Sequence, residues 1–378
     1  MVRPKVSRRP AVAIAILALA GILPGCGTTA ATKTGSASAS TSMVQKARSM
    51  LAQYEAAQTQ LPPTSGPKAA TGKFVVVIPA AMAYEGSARE ANGSIAAANA
   101  IGWKSLLLDP NGDAATEAQD IETAVAQKAD GIVLDAIDPA SVSGPLSTAR
   151  AAGIKIIVVG GPDATGKLTD ASVPGPSVFI DDGQAEAWYL ISALNGKGNI
   201  ALFEDPESPS LVERVDGFKS TIKQCPDCHV VVDTTFLSST LLTTFPQTVA
   251  STLRTHPNIN AIMFPYDAAT ALAEPALKAD GLLGNIIAVS GDGNSQNIGF
   301  VKSNTFQAAD VALPLEWEGW GAVDDLNRMF NGTPAVDENV AFRLLVASNV
   351  NEATTSSNAY NGSADYEDAY CSSWGASC

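Results

Sequence analysis

The stretch "ADGIVLDAIDPASVSGPLSTARAAGIKIIVVGG", residues 129–161, contains two short apolar runs on either side of an amphipathic segment. In these runs, 131–136 and 154–160, the apolar residues are continuous rather than alternating, which is typical of strands buried on both faces of a parallel sheet. The segment between them, 139–152, has helical spacing. A strand, a helix and a second strand in this order form a right-handed crossover unit, so the stretch predicts an α/β fold.

The same alternation of apolar runs and amphipathic segments continues on both sides of this stretch. The region 73–352 is longer than one hydrophobic core usually accommodates, so it predicts two doubly wound parallel-sheet lobes. The further strands are predicted at 74–80, 105–109, 199–204, 229–233, 260–264 and 285–291, and the further helices at 86–101, 113–128, 209–223, 267–279 and 317–330.

The N-terminus has the pattern of an export signal. A basic start precedes an apolar run at 11–23 that is shorter than the roughly twenty residues needed to span a bilayer. Residues 1–25 are therefore predicted to be a signal peptide. The hexapeptide "GILPGC" (21–26) resembles a lipobox, which predicts lipidation of Cys26 and anchoring of the protein to the cell membrane. An ordinary signal peptide cut elsewhere is the alternative.

A polar, small-residue segment follows Cys26. Residues 27–42 have almost no apolar content and predict a flexible tether. Apolar residues at helical spacing predict a short helix over 43–57, and a proline- and glycine-containing stretch then leads to residue 73. Whether this helix packs on the folded body is left open by the sequence.

Charge and cysteine content restrict the possible functions. The chain has a formal net charge of −14, and removal of 1–25 makes it more acidic, so nucleic acid is excluded as a partner. Two near-neighbour cysteine pairs in an exported chain predict two disulfides, Cys225 with Cys228 and Cys371 with Cys378. A redox motif or a zinc site is the alternative for the first pair. No metal site is predicted.

Polar residues follow several of the predicted strands, and in parallel sheets ligands bind beyond the carboxyl ends of the strands. The chain has only two histidines and lacks a dinucleotide fingerprint, a Walker sequence and a nucleophile elbow. The pattern therefore predicts a binding protein without a cofactor or enzymatic activity. The candidate ligand-binding residues are Tyr84, Glu85, Asp135, Arg214, Tyr266 and Asp292. Helix capping or a surface ion pair is the alternative role for several of them.

In its order of elements the chain resembles the type I periplasmic solute-binding proteins, of the ribose-binding-protein-like kind, that serve sugar ABC transporters. Besides 129–161, the stretches that show this resemblance are "ERVDGF" (213–218), "HPNINAIMFPYDAATALAEPAL" (256–277), "IIAVSGDG" (286–293) and "FQAADVALP" (306–314). The resemblance implies that Arg214 and Asp292 contact sugar hydroxyls. It also implies an extracytoplasmic monomer that delivers a sugar or polyol to an ABC permease and its ATPase.

The resemblance further implies a hinge of three crossings, near 180–182, 311–314 and 345–347. The N-terminal lobe is then 73–181 with 313–345, the C-terminal lobe is 182–312 with 346–352, and 353–378 is a tail that wraps a lobe and is held by its own disulfide. Where the family's sugar binders often have aromatic and charged residues, this chain has "AYEGSARE" (83–90) and Gly160-Gly161. A less polar metabolite is therefore an alternative ligand, and a sensor subunit for a membrane receptor is an alternative role.

Overall fold

The computed structural model describes residues 34–161, 167–175, 178–284, 286–352 and 358–378. The predicted signal peptide, Cys26 and the start of the predicted tether lie outside the described residues. No helix in these ranges is long and apolar enough to cross a membrane. The described chain forms two α/β lobes, as predicted.

The N-terminal lobe is built on a five-stranded parallel sheet in the order β2-β1-β3-β4-β5. Its strands are β1 (Phe74–Pro79), β2 (Lys104–Leu107), β3 (Gly131–Asp135), β4 (Lys155–Val159) and β5 (Ala171–Val173). Both faces of β1 are buried: Val75 and Val77 pack in one hydrophobic cluster, and Val76 and Ile78 in another. The covering helices are α2 (Glu85–Ala100), α3 (Ala114–Ala126), α4 (Ser143–Ala151), α10 (Leu315–Phe330) and α11 (Tyr366–Trp374).

The C-terminal lobe has a six-stranded sheet in the order β11-β10-β9-β8-β6-β7. Its strands are β6 (Lys197–Glu204), β7 (Asp227–Thr235), β8 (Ala261–Met263), β9 (Ile287–Gly291), β10 (Gln307–Ala312) and β11 (Arg343–Val346). All of them are parallel except β11, which pairs with β10 in the antiparallel sense. Its helices are α1 (Thr34–Tyr54), α5 (Val178–Ala193), α6 (Pro209–Ile222), α7 (Phe245–Thr255), α8 (Asp267–Ala279) and α9 (Ser295–Ser303).

The chain passes between the two sheets after β5, after β10, and between α10 and β11. The predicted crossing at 311–314 agrees with the second passage. The predicted crossings at 180–182 and 345–347 were placed too late, because 180–182 lies inside α5 and 345–346 inside β11. The domain boundaries drawn there shift accordingly. Helix α5 is apolar on most of its circumference, so its sequence shows no clear amphipathic period.

The N-terminal segment packs on the body and touches both lobes. Helix α1 begins at Thr34, so the second half of the predicted tether is helical. The composition of this part is that of a linker, and the packing of the second half of the helix on the body stabilises the whole helix. Ala47 and Leu51 are buried in the core of the C-terminal lobe. Further along, the main-chain N–H of Ala70 donates to Asn327 Oδ1 of α10 at 2.8 Å, on the N-terminal lobe.

The C-terminal tail also contacts both lobes. On the N-terminal lobe, Trp374 of α11 stacks on Trp320 with ring centroids 5.7 Å apart. On the C-terminal lobe, Tyr360 packs in a small apolar cluster, and its N–H donates to Gly293 O at 2.9 Å. In the structure Cys371 is bonded to Cys378 and Cys225 to Cys228.

Candidate ligand-binding cleft

A cavity of about 370 Å³ lies between the two lobes, where the carboxyl ends of both parallel sheets meet. Its volume lies within the range of small-molecule pockets. The polar residues that line it are Tyr84, Ser87, Glu90, Glu117, Asp138 and Ser141 from the N-terminal lobe, and Asp205, Glu207, Ser208, Ser210, Arg214, Ser238, Tyr266 and Asp292 from the C-terminal lobe.

Arg214 of α6 is the basic residue at the floor of this cavity, and it is almost completely buried. Its Nη1 donates to Pro265 O at 2.5 Å and its Nη2 to Asp182 Oδ2 at 3.2 Å. Nη1 also lies 3.6 Å from Asp292 Oδ1. Burial alone would lower the pKa of Arg214, but the carboxylates of Asp182, Asp292 and Glu186 raise it. The guanidinium is therefore a fixed positive charge.

The acids around Arg214 are strongly desolvated. Burial raises the pKa of Asp182 to about 7, although Arg214 acts in the opposite direction. Burial also raises the pKa of Glu186 well above its ordinary value, and both of its carboxyl oxygens lack a hydrogen-bond partner within the described part of the chain. Asp292 has φ 145°, a region that residues with side chains rarely adopt. Such conformations are often found at functional sites.

A second part of the lining on the C-terminal lobe is held by hydrogen bonds around Asp205. Tyr266 Oη and Ser238 Oγ both donate to Asp205 Oδ2, at 2.9 and 2.7 Å. Tyr84 comes from the N-terminal lobe, and its Oη donates to Ser238 O at 3.2 Å. The lobes are thus in contact across the cleft, and the structure has a closed form.

The sequence of residues 75–334 matches the family model described as a periplasmic binding protein domain. The chain belongs to this family. It is 28% identical over 234 residues to a D-apiose import binding protein of Actinobacillus succinogenes, and this alignment covers 61% of this chain and 72% of that protein. It is 22% identical over 214 residues to the ribose import binding protein of Bacillus subtilis, and this alignment covers 56% of this chain and 67% of that protein.

Solved structures show the same fold. An ABC transporter solute-binding protein from Agrobacterium vitis with bound allitol superimposes with a TM-score of 0.67 at 23% identity, over 74% of this chain and 97% of that one. The predicted resemblance to type I periplasmic binding proteins and the predicted two-lobe α/β fold are therefore confirmed. The two relatives are import binding proteins.

Four of the six predicted site residues line the cleft of this periplasmic binding protein: Tyr84, Arg214, Tyr266 and Asp292. Glu85 lies outside the lining and accepts hydrogen bonds from Ser295 N at 2.8 Å and Ser295 Oγ at 2.9 Å. It thus binds the first residue of α9 on the opposite lobe. Whether the four lining residues contact a ligand stays a prediction.

Asp135 also lies outside the lining, one layer beneath it. It is fully buried, and its Oδ2 accepts a hydrogen bond from Ser87 Oγ at 3.2 Å. The carboxyl of Glu90 lies within hydrogen-bonding reach of Asp135 and itself faces the cavity. The end of β3 therefore lies next to the cavity, as predicted, but the carboxyl that reaches the cavity is that of Glu90 on the adjacent helix α2.

Two acids on helices, Glu90 and Glu117, line the cavity but are not among the predicted site residues. No strand end points to them. For Glu90 a signal existed, because Ser87 and Glu90 are three residues apart on α2 and so share one face of the helix. The acids Asp205 and Glu207 directly follow β6, where the rule on strand ends could have found them.

Proposed function

We propose that this chain is an extracytoplasmic solute-binding protein that captures a sugar or polyol between its lobes and delivers it to an ABC importer. The observation that carries the proposal is the cavity at the meeting point of the two sheets, to which both lobes contribute hydroxyl and carboxyl groups. The import functions of the apiose- and ribose-binding relatives and the allitol bound by the structural neighbour support it.

The chemistry of the lining suits a polyhydroxylated ligand. Carboxylate oxygens accept hydrogen bonds from ligand hydroxyls, and the serine and tyrosine hydroxyls both donate and accept. The rings of Tyr84, Phe179 and Tyr266 add apolar faces for the C–H groups of a sugar or polyol. The ligand would touch both lobes and so stabilise the closed form over the open one.

The proposal places the chain outside the cytoplasm as a monomer held at the cell membrane by a lipid on Cys26. The export pattern of residues 1–25 and the hexapeptide at 21–26 support this location. Disulfides between near-neighbour cysteines suit an oxidising compartment. The membrane partners would be the permease and ATPase of the importer.

The test is a thermal-shift and calorimetric screen of the purified full chain against D-apiose, D-ribose, allitol and less polar metabolites. A ligand that binds only the native state raises the melting temperature by mass action. We expect an upshift with a sugar or polyol that is lost in Arg214→Ala and kept in Arg254→Ala, since Arg254 forms an exposed ion pair with Asp280. An upshift with apolar metabolites only would contradict the proposed ligand class.

A further inference from the structure

The lining of the cleft is strongly acidic. It includes six carboxyl side chains and one basic side chain, and no lysine or histidine is among the described lining residues. The basic side chain, Arg214, is already bonded to Pro265 O and Asp182 and lies next to Asp292. The six acids are Glu90, Glu117, Asp138, Asp205, Glu207 and Asp292. The cavity therefore has a large excess of acidic over basic groups.

The closed form brings acids of opposite lobes together. Glu117 of α3 interacts with Glu207, which follows β6 on the other lobe; burial and then this like charge raise the pKa of Glu117. Glu90 of α2 similarly lies near enough to Asp292 to influence it. Like charges at short range in a poorly solvated cleft repel each other. Closure over these acids is therefore favoured by a positive charge in the cavity.

Glu90 and Glu117 are the lining acids without a hydrogen bond from an amide, a hydroxyl or a basic side chain in the described part of the chain, and Glu90 is the more buried of the two. It is 6% exposed and faces the cavity. Within the described ranges its carboxyl has no hydrogen bond from an amide, a hydroxyl or a basic side chain, and its hydrogen-bonding neighbours are the carboxyls of Asp135 and Glu318. Both carboxyl oxygens of Glu318 lack a donor as well. Three buried carboxyls so close together are costly when ionised, so they need protons shared among them or a cation nearby.

The neighbouring guanidinium does not meet this need. Arg89 is next to Glu90 in sequence, but its Nε and Nη2 form a two-point ion pair with Glu316, at 3.0 and 2.8 Å. Its Nη1 donates to Asp292 O at 3.2 Å and Gly293 O at 3.1 Å. The charge of Arg89 is thus used at the contact between the lobes, outside the cavity lining.

We propose that the ligand carries a protonated amine that lies against Glu90, which makes it an amino sugar or an amino polyol. An ammonium group has three donors and one positive charge, so it can bind Glu90 and face Asp292 at the same time. A neutral hydroxyl supplies no net charge, and a carboxylate or phosphate on the ligand would be repelled. This assignment rests on the proposed function and narrows its ligand class.

The test compares matched ligands in three charge states by isothermal titration calorimetry on the full chain at pH 7 and low salt. One series is D-galactose, D-galactosamine and D-galacturonate, and a second is sorbitol, glucamine and gluconate. Hydrogen bonds to charged groups are stronger than neutral ones, so we expect the amine to bind about tenfold tighter than the neutral member in at least one series. No binding of the carboxylate members is expected.

Two variants test whether the preference for the amine depends on the carboxyl of Glu90. Glu90→Gln keeps the size of the side chain and removes its charge, so it should reduce the preference for the amine to about threefold or less. Glu122→Gln is the matched control, because Glu122 is exposed on α3 and does not line the cavity. Unchanged melting temperatures would show that both variants are folded.

The outcomes separate the two proposals. A neutral sugar or polyol that binds as tightly as its amine would overturn the amine assignment and leave the proposed function in place. A preference for the amine that survives in Glu90→Gln would overturn the assignment to Glu90. If no member of either series binds, the result counts against the amine and against the proposed function together.

Discussion

At the scale of single residues, the site depends on a guanidinium surrounded by acids that are mostly out of contact with water. Taking a charge out of water is costly, and the attraction between Arg214 and Asp182 offsets this cost only in part. Glu186 and Glu318 have no donors in the described part of the chain. These acids therefore favour the protonated state when the chain is folded, and protons are coupled to folding.

This coupling predicts that stability falls as pH rises. The folded-state pKa of Asp182, about 7, lies above its ordinary value of 3.8 because of burial, so between these values the folded chain binds more protons than the unfolded chain. The contribution of Asp182 is complete below about pH 4 and is lost as pH rises through 7. We expect the free energy of unfolding in urea to be up to about 2 kcal/mol lower at pH 7.5 than at pH 5.5.

Two variants test whether Asp182 causes this dependence of the free energy of unfolding on pH. Asp182→Asn should flatten the pH dependence, whereas Asp216→Asn, at an exposed position on α6, should keep it. Buried acids such as Glu186 act in the same direction, so some slope will remain in Asp182→Asn. A stability that rises between pH 5.5 and 7.5 would contradict the electrostatic description of this site.

The rule that places ligands beyond strand ends found Arg214, Tyr266, Asp292 and Tyr84 from the sequence alone. It placed Asp135 one layer too close to the cavity, because a residue at the very end of a strand is still part of the buried sheet. It assigned Glu85 to the ligand, but Glu85 lies outside the cavity lining and binds Ser295 across the lobes. A contact between lobes depends on how two separately folded units meet, which no local pattern encodes.

At the scale of elements, the position of Arg214 depends on a very close approach of α5 and α6. A Cβ built on Gly183 would lie 1.7 Å from Arg214 O, and one built on Gly217 would lie 2.0 Å from Ile180 O. These glycines allow the two helix backbones to touch. Because α6 carries Arg214 and α5 carries Asp182, this contact sets the geometry of the ion pair at the floor of the cavity.

Gly183→Ala should therefore disturb both stability and binding. The new methyl group overlaps the main chain of α6, so the helices must separate, at a cost of about 1–3 kcal/mol or more. Gly144→Ala is the matched control: it lies at an exposed position of α4 with no atom within 4 Å of the new Cβ. There alanine should stabilise the helix by up to about 1 kcal/mol. Equal melting temperatures for the two variants would contradict the prediction.

Helix α1 is an integral part of the C-terminal lobe, not part of a linker. Removing it would expose the surface of α5 that Ala47 and Leu51 cover, including Trp188. A chain that begins at residue 60 should be less stable than one that begins at residue 34 by roughly 3 kcal/mol, in view of the apolar side chains it exposes. Urea unfolding of the two chains measures this difference, and equal midpoints would show that α1 contributes nothing.

Most of the strands and more than half of the helices agree with the prediction to within a few residues, because buried parallel strands are continuous apolar runs that differ clearly from their surroundings. The elements that were not predicted are β5, β11, α5, α7, α9 and α11. Strands β5 and β11 are only three and four residues long. Helix α5 is buried on most sides, so its apolar residues show no clear period. Long-range packing determines these elements more than local pattern does.

At the scale of the whole molecule, more than the three sheet-to-sheet crossings join the lobes. The segment after α1 runs along the third crossing, where Glu55 O accepts a hydrogen bond from Arg343 Nε at 2.9 Å, and continues to α10. The tail runs from Tyr360 on one lobe to α11 on the other. Opening of the cleft must therefore be compatible with these two additional connections, which favours a limited hinge motion.

The balance between open and closed forms also depends on direct contacts between lobes, of which Glu85 with Ser295 is the clearest. The carboxylate of Glu85 accepts two hydrogen bonds at the N-terminus of α9, where the helix dipole favours a negative charge. It lies outside the cavity lining, so its removal should change closure and leave the ligand contacts intact. If these bonds form only in the closed form, Glu85→Ala should raise the ratio of open to closed chain about tenfold.

Pulsed electron paramagnetic resonance between spin labels at two exposed positions, 122 on α3 and 278 on α8, measures this ratio without a ligand. The Glu85→Ala chain should show a longer mean distance or a second, longer distance, whereas Asp216→Ala, which removes an exposed acid of the C-terminal lobe, should match the parent chain. Identical distance distributions for all three chains would mean that the hinge connections and the other contacts between the lobes, such as those of Arg89, hold the cleft closed. In that case the contact between Glu85 and α9 does not set the energy of closure.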